Sequence, residues 1–153
     1  MSVVTSGVYP VYQNKFKVGK KGKLSTSPTD MAIIADMDSF SLSMDNNIEE
    51  WTPLDTEGWV RRLQTGKGFG ISLSGKRCVG DAGNDYVAGL LFKNAQDVET
   101  KFEWEFPDGT IVKFDCVINV TNVGTGDSTG VGALEFEVLS NGKPTITEPS
   151  LSE

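Results

Sequence analysis

Apolar and polar residues alternate with a period of two in five stretches of the chain. Phe40, Leu42 and Met44 alternate with Ser39, Ser41 and Ser43, and Phe69, Ile71 and Leu73 with Gly70, Ser72 and Ser74. Phe102, Trp104 and Phe106 are interleaved with Lys101, Glu103 and Glu105. Val112, Phe114, Cys116, Ile118 and Val120 form the longest series, and Leu134, Phe136 and Val138 flank Glu135 and Glu137. Successive side chains of a strand point to opposite faces, so each stretch predicts a strand with one face in a core and one in water. Pro107-Asp108-Gly109 predicts a hairpin turn between the third and fourth stretches. Proline presets φ at the first central position, and glycine supplies the positive φ that lets the chain return.

Between these stretches the pattern changes. Residues 8–18 are a strand-rich mixture in which Pro10 favours an edge or a bend. Residues 58–63 read as a strand that pairs with 68–74 around Gln64 to Lys67. The helix candidate is 84–93, where Tyr86, Val87, Leu90 and Leu91 form an amphipathic stripe. Asn84 can cap it, Asp85 suits its first turn, and Lys93 and Asn94 suit its end. Residues 45–58 break the alternation with Asp, Asn, Pro and Gly, yet keep Ile48, Trp51 and Leu54, with Trp59 just beyond. A loop of that length is functional or disordered, and its tryptophans argue against disorder. The sum is a mainly β fold, a β-sandwich or barrel of six to seven strands with one short α-helix. A single domain covers 1–145, with 1–7 as a flexible arm and 146–153 as a flexible tail.

Composition narrows the chemistry. A chain of 153 residues builds one core without staples. No apolar run approaches the length of a membrane span, and residues 1–10 have no basic start and no apolar stretch, so the reading is a soluble protein made in a cytoplasm. In that compartment Cys78 and Cys116 read as two buried thiols in preference to a disulfide. Fourteen Lys and Arg against 21 Asp and Glu give a net charge of −7, the wrong sign for a protein that grips nucleic acid. Histidine is absent, which removes the commonest acid/base, the Ser-His-Asp triad and His-containing zinc sites. Gly66-Lys67-Gly68-Phe69-Gly70 opens a strand and not a helix, so it reads as a glycine-rich hairpin and not a phosphate loop. Asp36 and Asp38 share a strand face without a third carboxylate close by, and read as solvated charges. Nothing outlines an active site, a cofactor site or a metal site.

The order of features from Trp51 to Thr145 resembles the major tail tube proteins of long-tailed bacteriophages, especially those with flexible, non-contractile tails. An acidic loop with tryptophan precedes glycine-rich strands, and a short helix carries Leu90-Leu91-Phe92. Phe106-Pro107-Asp108-Gly109-Thr110, a strand, a Gly-rich loop, a final strand and Asn141-Gly142-Lys143-Pro144-Thr145 follow. The resemblance implies a structural virion protein, not an enzyme. Six copies would form a ring whose strands join sheets across subunits, and rings would stack into a tube that conducts DNA into the host without binding it specifically. Its partners would be itself and the tail-tip initiator, tape measure and tail terminator proteins, with the virion tail as its place and the host cytoplasm as its site of assembly. No cofactor and no membrane enter. Some members carry a C-terminal immunoglobulin-like domain, for which this sequence has no counterpart.

Within that reading, Ile48, Trp51, Leu54 and Trp59 are the expected ring-to-ring contact. Lys15, Lys17, Lys20, Lys21 and Lys23 form a basic patch for an acidic surface of another copy. Glu103, Glu105, Glu135 and Glu137 are candidates to line the lumen. Three other readings stand beside it. One is a carbohydrate- or protein-binding β-sandwich with Trp51, Trp59 and Tyr86 as its contact patch; another is a small β-barrel enzyme, which the absence of histidine makes poor; the third is a contractile tail or bacteriocin tube.

Overall fold

Strands form at all five alternating stretches, and several run further than the alternation does. The computed structural model describes residues 3–149. Its strands are β1 (Lys15–Gly19), β2 (Met31–Ile33), β3 (Met37–Trp51), β4 (Arg61–Lys76), β5 (Glu99–Glu105), β6 (Ile111–Val123), β7 (Ala133–Ser140) and β8 (Thr145–Thr147), with one α-helix, α1 (Ala82–Ala88), between β4 and β5. The fold is mainly β with one helix, as the pattern predicts. The strands number eight because residues 31–33 and 145–147 also pair.

All neighbours are antiparallel, in the order β2-β1-β5-β6-β7-β4-β3, with β8 on β6. β6 is the shared strand: β5 covers Ile111 to Val117, and β7 covers Cys116 to Val123 on the other side. The sheet curls until its ends touch. Phe40 of β3 meets Phe16 of β1 edge-on at 4.8 Å and Trp104 of β5 at 5.7 Å. The core between these walls holds Val18, Ile71, Leu73, Phe102, Phe114, Ile118, Phe136 and Val138, closed by Val87 and Leu90 from the helical segment. Those of β4, β5, β6 and β7 are inward positions of the alternation, whereas Leu42 and Met44 of the first stretch are each 47% exposed, since the outer half of β3 leaves the core.

The helix differs from its prediction. It starts two residues earlier and ends at Ala88, short of Lys93, and the Asp81 carboxylate caps it by accepting the Asn84 amide at 3.0 Å. Asn84 itself is fully buried. Its Oδ1 accepts from Arg77 Nη1 and the Cys78 amide, at 2.9 and 3.0 Å, and its Nδ2 donates to the carbonyls of Ala35 and Lys76, at 3.1 and 3.0 Å. A predicted capping residue is thus a cross-brace, and Asp81 takes the capping position by accepting the Asn84 amide. The helix can lie this close to β2 only because residue 83 is glycine: a Cβ there would sit 2.5 Å from the Ile33 carbonyl oxygen.

The largest difference lies at residues 45–58. Residues 45–51 are not loop but the outer half of β3, paired in register with Gly68 down to Arg61, with a bulge between Asn47 and Ile48. For the same reason β4 is one strand, not two around Gln64 to Lys67, and Gly66 to Gly70 lie inside it and make no turn. Polar and glycine residues are poor strand formers, but a continuous partner strand supplies the ladder bonds that propensity does not. Only Thr52 to Val60 reverse the chain. The tail is shortened too, since residues 145–147 are strand β8, while residues 150–153 lie outside the described residues, as do 1–2 of the arm.

Candidate assembly surface

β7 covers β4 only from Gly70 to Lys76. Beyond that, β3 and β4 pair with each other alone and project as a two-stranded ribbon. From Met44 to Trp51 the projection is about 25 Å at the ordinary strand rise. Isolated ribbons of this kind are marginal in water, and this one carries apolar side chains into solvent. Ile48 and Leu63 are exposed, Trp59 is 78% exposed and Leu54 wholly so. Trp51 is 41% exposed, stands outside the core and carries the Arg61 guanidinium 5.5 Å from its ring centre. The turn is shaped by residues of positive φ, Glu57 and Gly58, and by Thr56, whose single hydroxyl proton goes to the Trp59 carbonyl at 2.7 Å with the Pro53 carbonyl 3.2 Å away.

The five lysines divide. Lys15 and Lys17 lie on the outer face of β1 beside Glu105 and Glu103 of β5. Lys20, Lys21 and Lys23 stand on the exposed connection that follows, where Lys21 Nζ meets Asp30 at 3.1 Å and Lys23 meets Glu99 at 2.9 Å. Asp30 holds this connection together. Its carboxylate accepts the amides of Thr26 and Ser27, both at 3.2 Å, and its carbonyl accepts the Lys20 amide at 2.8 Å. The Lys21 ammonium, then those amides, hold the Asp30 carboxyl below the usual aspartate range.

The four candidate acids also divide, by what lies beside them. Glu103 is flanked across the strands by Lys17 and Lys113, with Lys113 Nζ at 3.9 Å, and Glu105 by Lys15. Lys101 next to them binds Asp115 at 2.8 Å. The outer face of β5 is therefore a mixed, largely neutralised lattice. Glu137 instead continues a row through Ser41, Ser72 and Asn119, and Glu135 a row through Ser39, Ser74 and Asn122. Asn122 Nδ2 donates to Glu135 at 2.9 Å. This face is small, polar and acidic, with Lys76, bound to Asp38 at 3.2 Å, at its margin. Sequence alternation identified all four acids as outward, but only the cross-strand register tells the two settings apart.

Tyr86, grouped in sequence with Trp51 and Trp59, packs from α1 against the core, well separated along the fold from the ribbon. Cys78 and Cys116 are free thiols, Cys116 buried and Cys78 only half so. Among the described residues no group of three or more His, Cys, Asp or Glu is placed to hold a metal ion, and no helix is long and apolar enough to cross a membrane.

No protein-family model and no curated protein matches the sequence. Solved structures do match. A chain from the tail of an empty gene transfer agent particle, solved with C6 symmetry, superposes with a TM-score of 0.69 over 92% of this chain and 99% of its own, at 18% identity. The chain has a tail-tube-like fold. A chain from the virion of the native gene transfer agent superposes with a TM-score of 0.68 at 18% identity and the same coverage. One from the sheath–tube complex of an extracellular contractile injection system gives 0.53 at 12% identity over 93% of both chains. The tail-tube-like fold is thus shared with a contractile system, and does not single out the non-contractile tubes that the sequence resembles.

Proposed function

We propose that the chain is the structural subunit of a phage-type tail tube, in which hexameric rings stack into a conduit for DNA ejection. The observation that carries this reading is the projecting β3–β4 ribbon. A domain with a closed core has no intrinsic use for Leu54, Trp59 and Ile48 in water, and exposed apolar side chains gathered on one projection fit burial in a neighbour. Among the described residues β2 and β3, the ends of the strand order, each pair with one strand only, and β3 in particular offers an edge that a strand of an adjacent copy can extend. The acid face of β3, β4, β7 and β6 suits the lumen wall, since DNA passing carboxylates and hydroxyls finds few cations to hold its phosphates, Lys76 at the margin being paired with Asp38. Tail-tip initiator, tape measure and terminator proteins would be the other partners.

Electron microscopy of the purified protein, alone and with tail-tip components, tests the reading. Hollow filaments are the expected result. A protein that stays monomeric under both conditions and instead binds a sugar or peptide would point to the rival β-sandwich module. That rival is weakened by the separation of Tyr86 from the two tryptophans.

A further inference from the structure

We propose that the ribbon tip of one copy seats on a lysine-rimmed hollow between the β1–β2 connection and the segment after α1 of another copy. This rests on the tube reading above and names the surface that receives the ribbon. The hollow is lined by Lys20, Lys21, Lys23, Leu24, Leu90 and Lys93, with Asp97 and Glu99 on the same rim. Leu24 is 78% exposed beside it, and Phe92, adjoining Lys93, is 95% exposed. Opposite chemistry sits at the tip. Residues 49–59 carry Glu49, Glu50, Asp55 and Glu57, no lysine or arginine, and the exposed Leu54 and Trp59.

Ion pairs within the chain already engage Lys21, Lys23 and Glu50, the last with Arg62 at 2.7 Å. Among the described residues, Lys20 and Lys93 on one side and Asp55 and Glu57 on the other make no ion pair. With Asp97 on the rim and Arg61 over Trp51 also outside any ion pair, the unengaged charges leave the hollow net positive (Lys20 and Lys93 against Asp97) and the tip net negative (Glu49, Asp55 and Glu57 against Arg61), each beside exposed apolar side chains. No tip residue lines the hollow of its own chain. Both patches are also preformed, the tip by the Thr56 hydroxyl and the hollow by Asp30, so little ordering opposes their union. Two different patches make a head-to-tail contact, the kind that repeats into rings or filaments.

Charge reversal tests the pairing in the full-length chain, with monomer folding checked by circular dichroism and assembly read by sedimentation and microscopy. Lys20→Glu with Lys93→Glu, and separately Asp55→Lys with Glu57→Lys, are each expected to raise the concentration needed for assembly roughly tenfold or more, since like charges then face each other. All four substitutions in one chain should restore it. Phe92→Ser should raise that concentration as well, without lowering the monomer's melting temperature. If wild type polymerises and the Lys20/Lys93 variant does so equally well, the tip seats elsewhere and the tube reading survives. Loss in both pairs without recovery in the combined chain also overturns the pairing. Failure of the wild type to assemble under any condition would sink the tube reading itself.

Discussion

Asn84 shows how much a single buried amide can organise. It joins the strand end at Lys76, the connection at Ala35 and the Arg77–Cys78 segment through four side-chain hydrogen bonds. Asn84→Leu would take a partner from two carbonyls and the Cys78 amide, while Arg77 keeps Asp85 and the Cys78 carbonyl. We expect a loss of about 3 kcal/mol in urea unfolding, which a change within error would contradict. Three aspartates make stability depend on acid. Asp30 is held low by Lys21, Asp85 by Arg77 and Asp108 by the Thr110 amide. A depressed carboxyl stabilises the fold fully above the ordinary aspartate pKa, near ~3.9, and that contribution is lost as pH falls from there through the folded value. Melting temperature should therefore hold from neutral pH to about 5 and fall below 4, and Asp30→Asn should flatten the fall. The two thiols are expected to be inert at neutral pH: burial pushes Cys116 up to about 12, and the Asp36 carboxylate and burial raise Cys78.

At the scale of elements, the ribbon and the core respond to mutation in opposite ways. Phe136 is buried between strands, and its truncation to alanine should destabilise the monomer by about 3–5 kcal/mol. Leu54 and Trp59 touch water, so Leu54→Ser or Trp59→Ala should change monomer stability by no more than about 0.5 kcal/mol. If the ribbon is a subunit contact, the same changes remove about 2 kcal/mol from each joint, and polymerisation fails while the melting temperature holds. Trp51→Ala belongs with them, with a further small effect from the lost Arg61 stacking. A monomer that melts early yet still assembles would place these side chains in the core's service.

Across the whole molecule, charge is sorted by face. The net charge of −7 hides a neutralised lattice on β5 and a cation-poor acid face on β7. In the proposed tube, repulsion of DNA is screened over about 8 Å at physiological salt, so only carboxylates facing the passage would matter. Glu135→Lys with Glu137→Lys should therefore slow DNA release from assembled particles, each cation pairing with phosphate. Glu103→Lys with Glu105→Lys should leave the release rate unchanged. Equal rates in both variants, measured by dye uptake of the released DNA, would show that the β7 face does not line the passage.

Alternation alone determined the inner and outer faces of β5, β6 and β7 and most of the core, because period two is a local property that any half-buried strand must obey, and the backbone preferences of Pro107 and Gly109 determined the turn between β5 and β6. Composition alone removed histidine chemistry and weighed against nucleic-acid gripping. What lay at residues 45–51 and 64–67 was decided by tertiary structure, since Asp, Asn and Gly become strand there only through a partner strand lying alongside. The role of Asn84 was decided the same way, by carbonyls from distant segments converging on it. Which acids share a face with lysine was likewise invisible in the linear chain. Neighbours across strands are set by register, and register depends on where the chain turns.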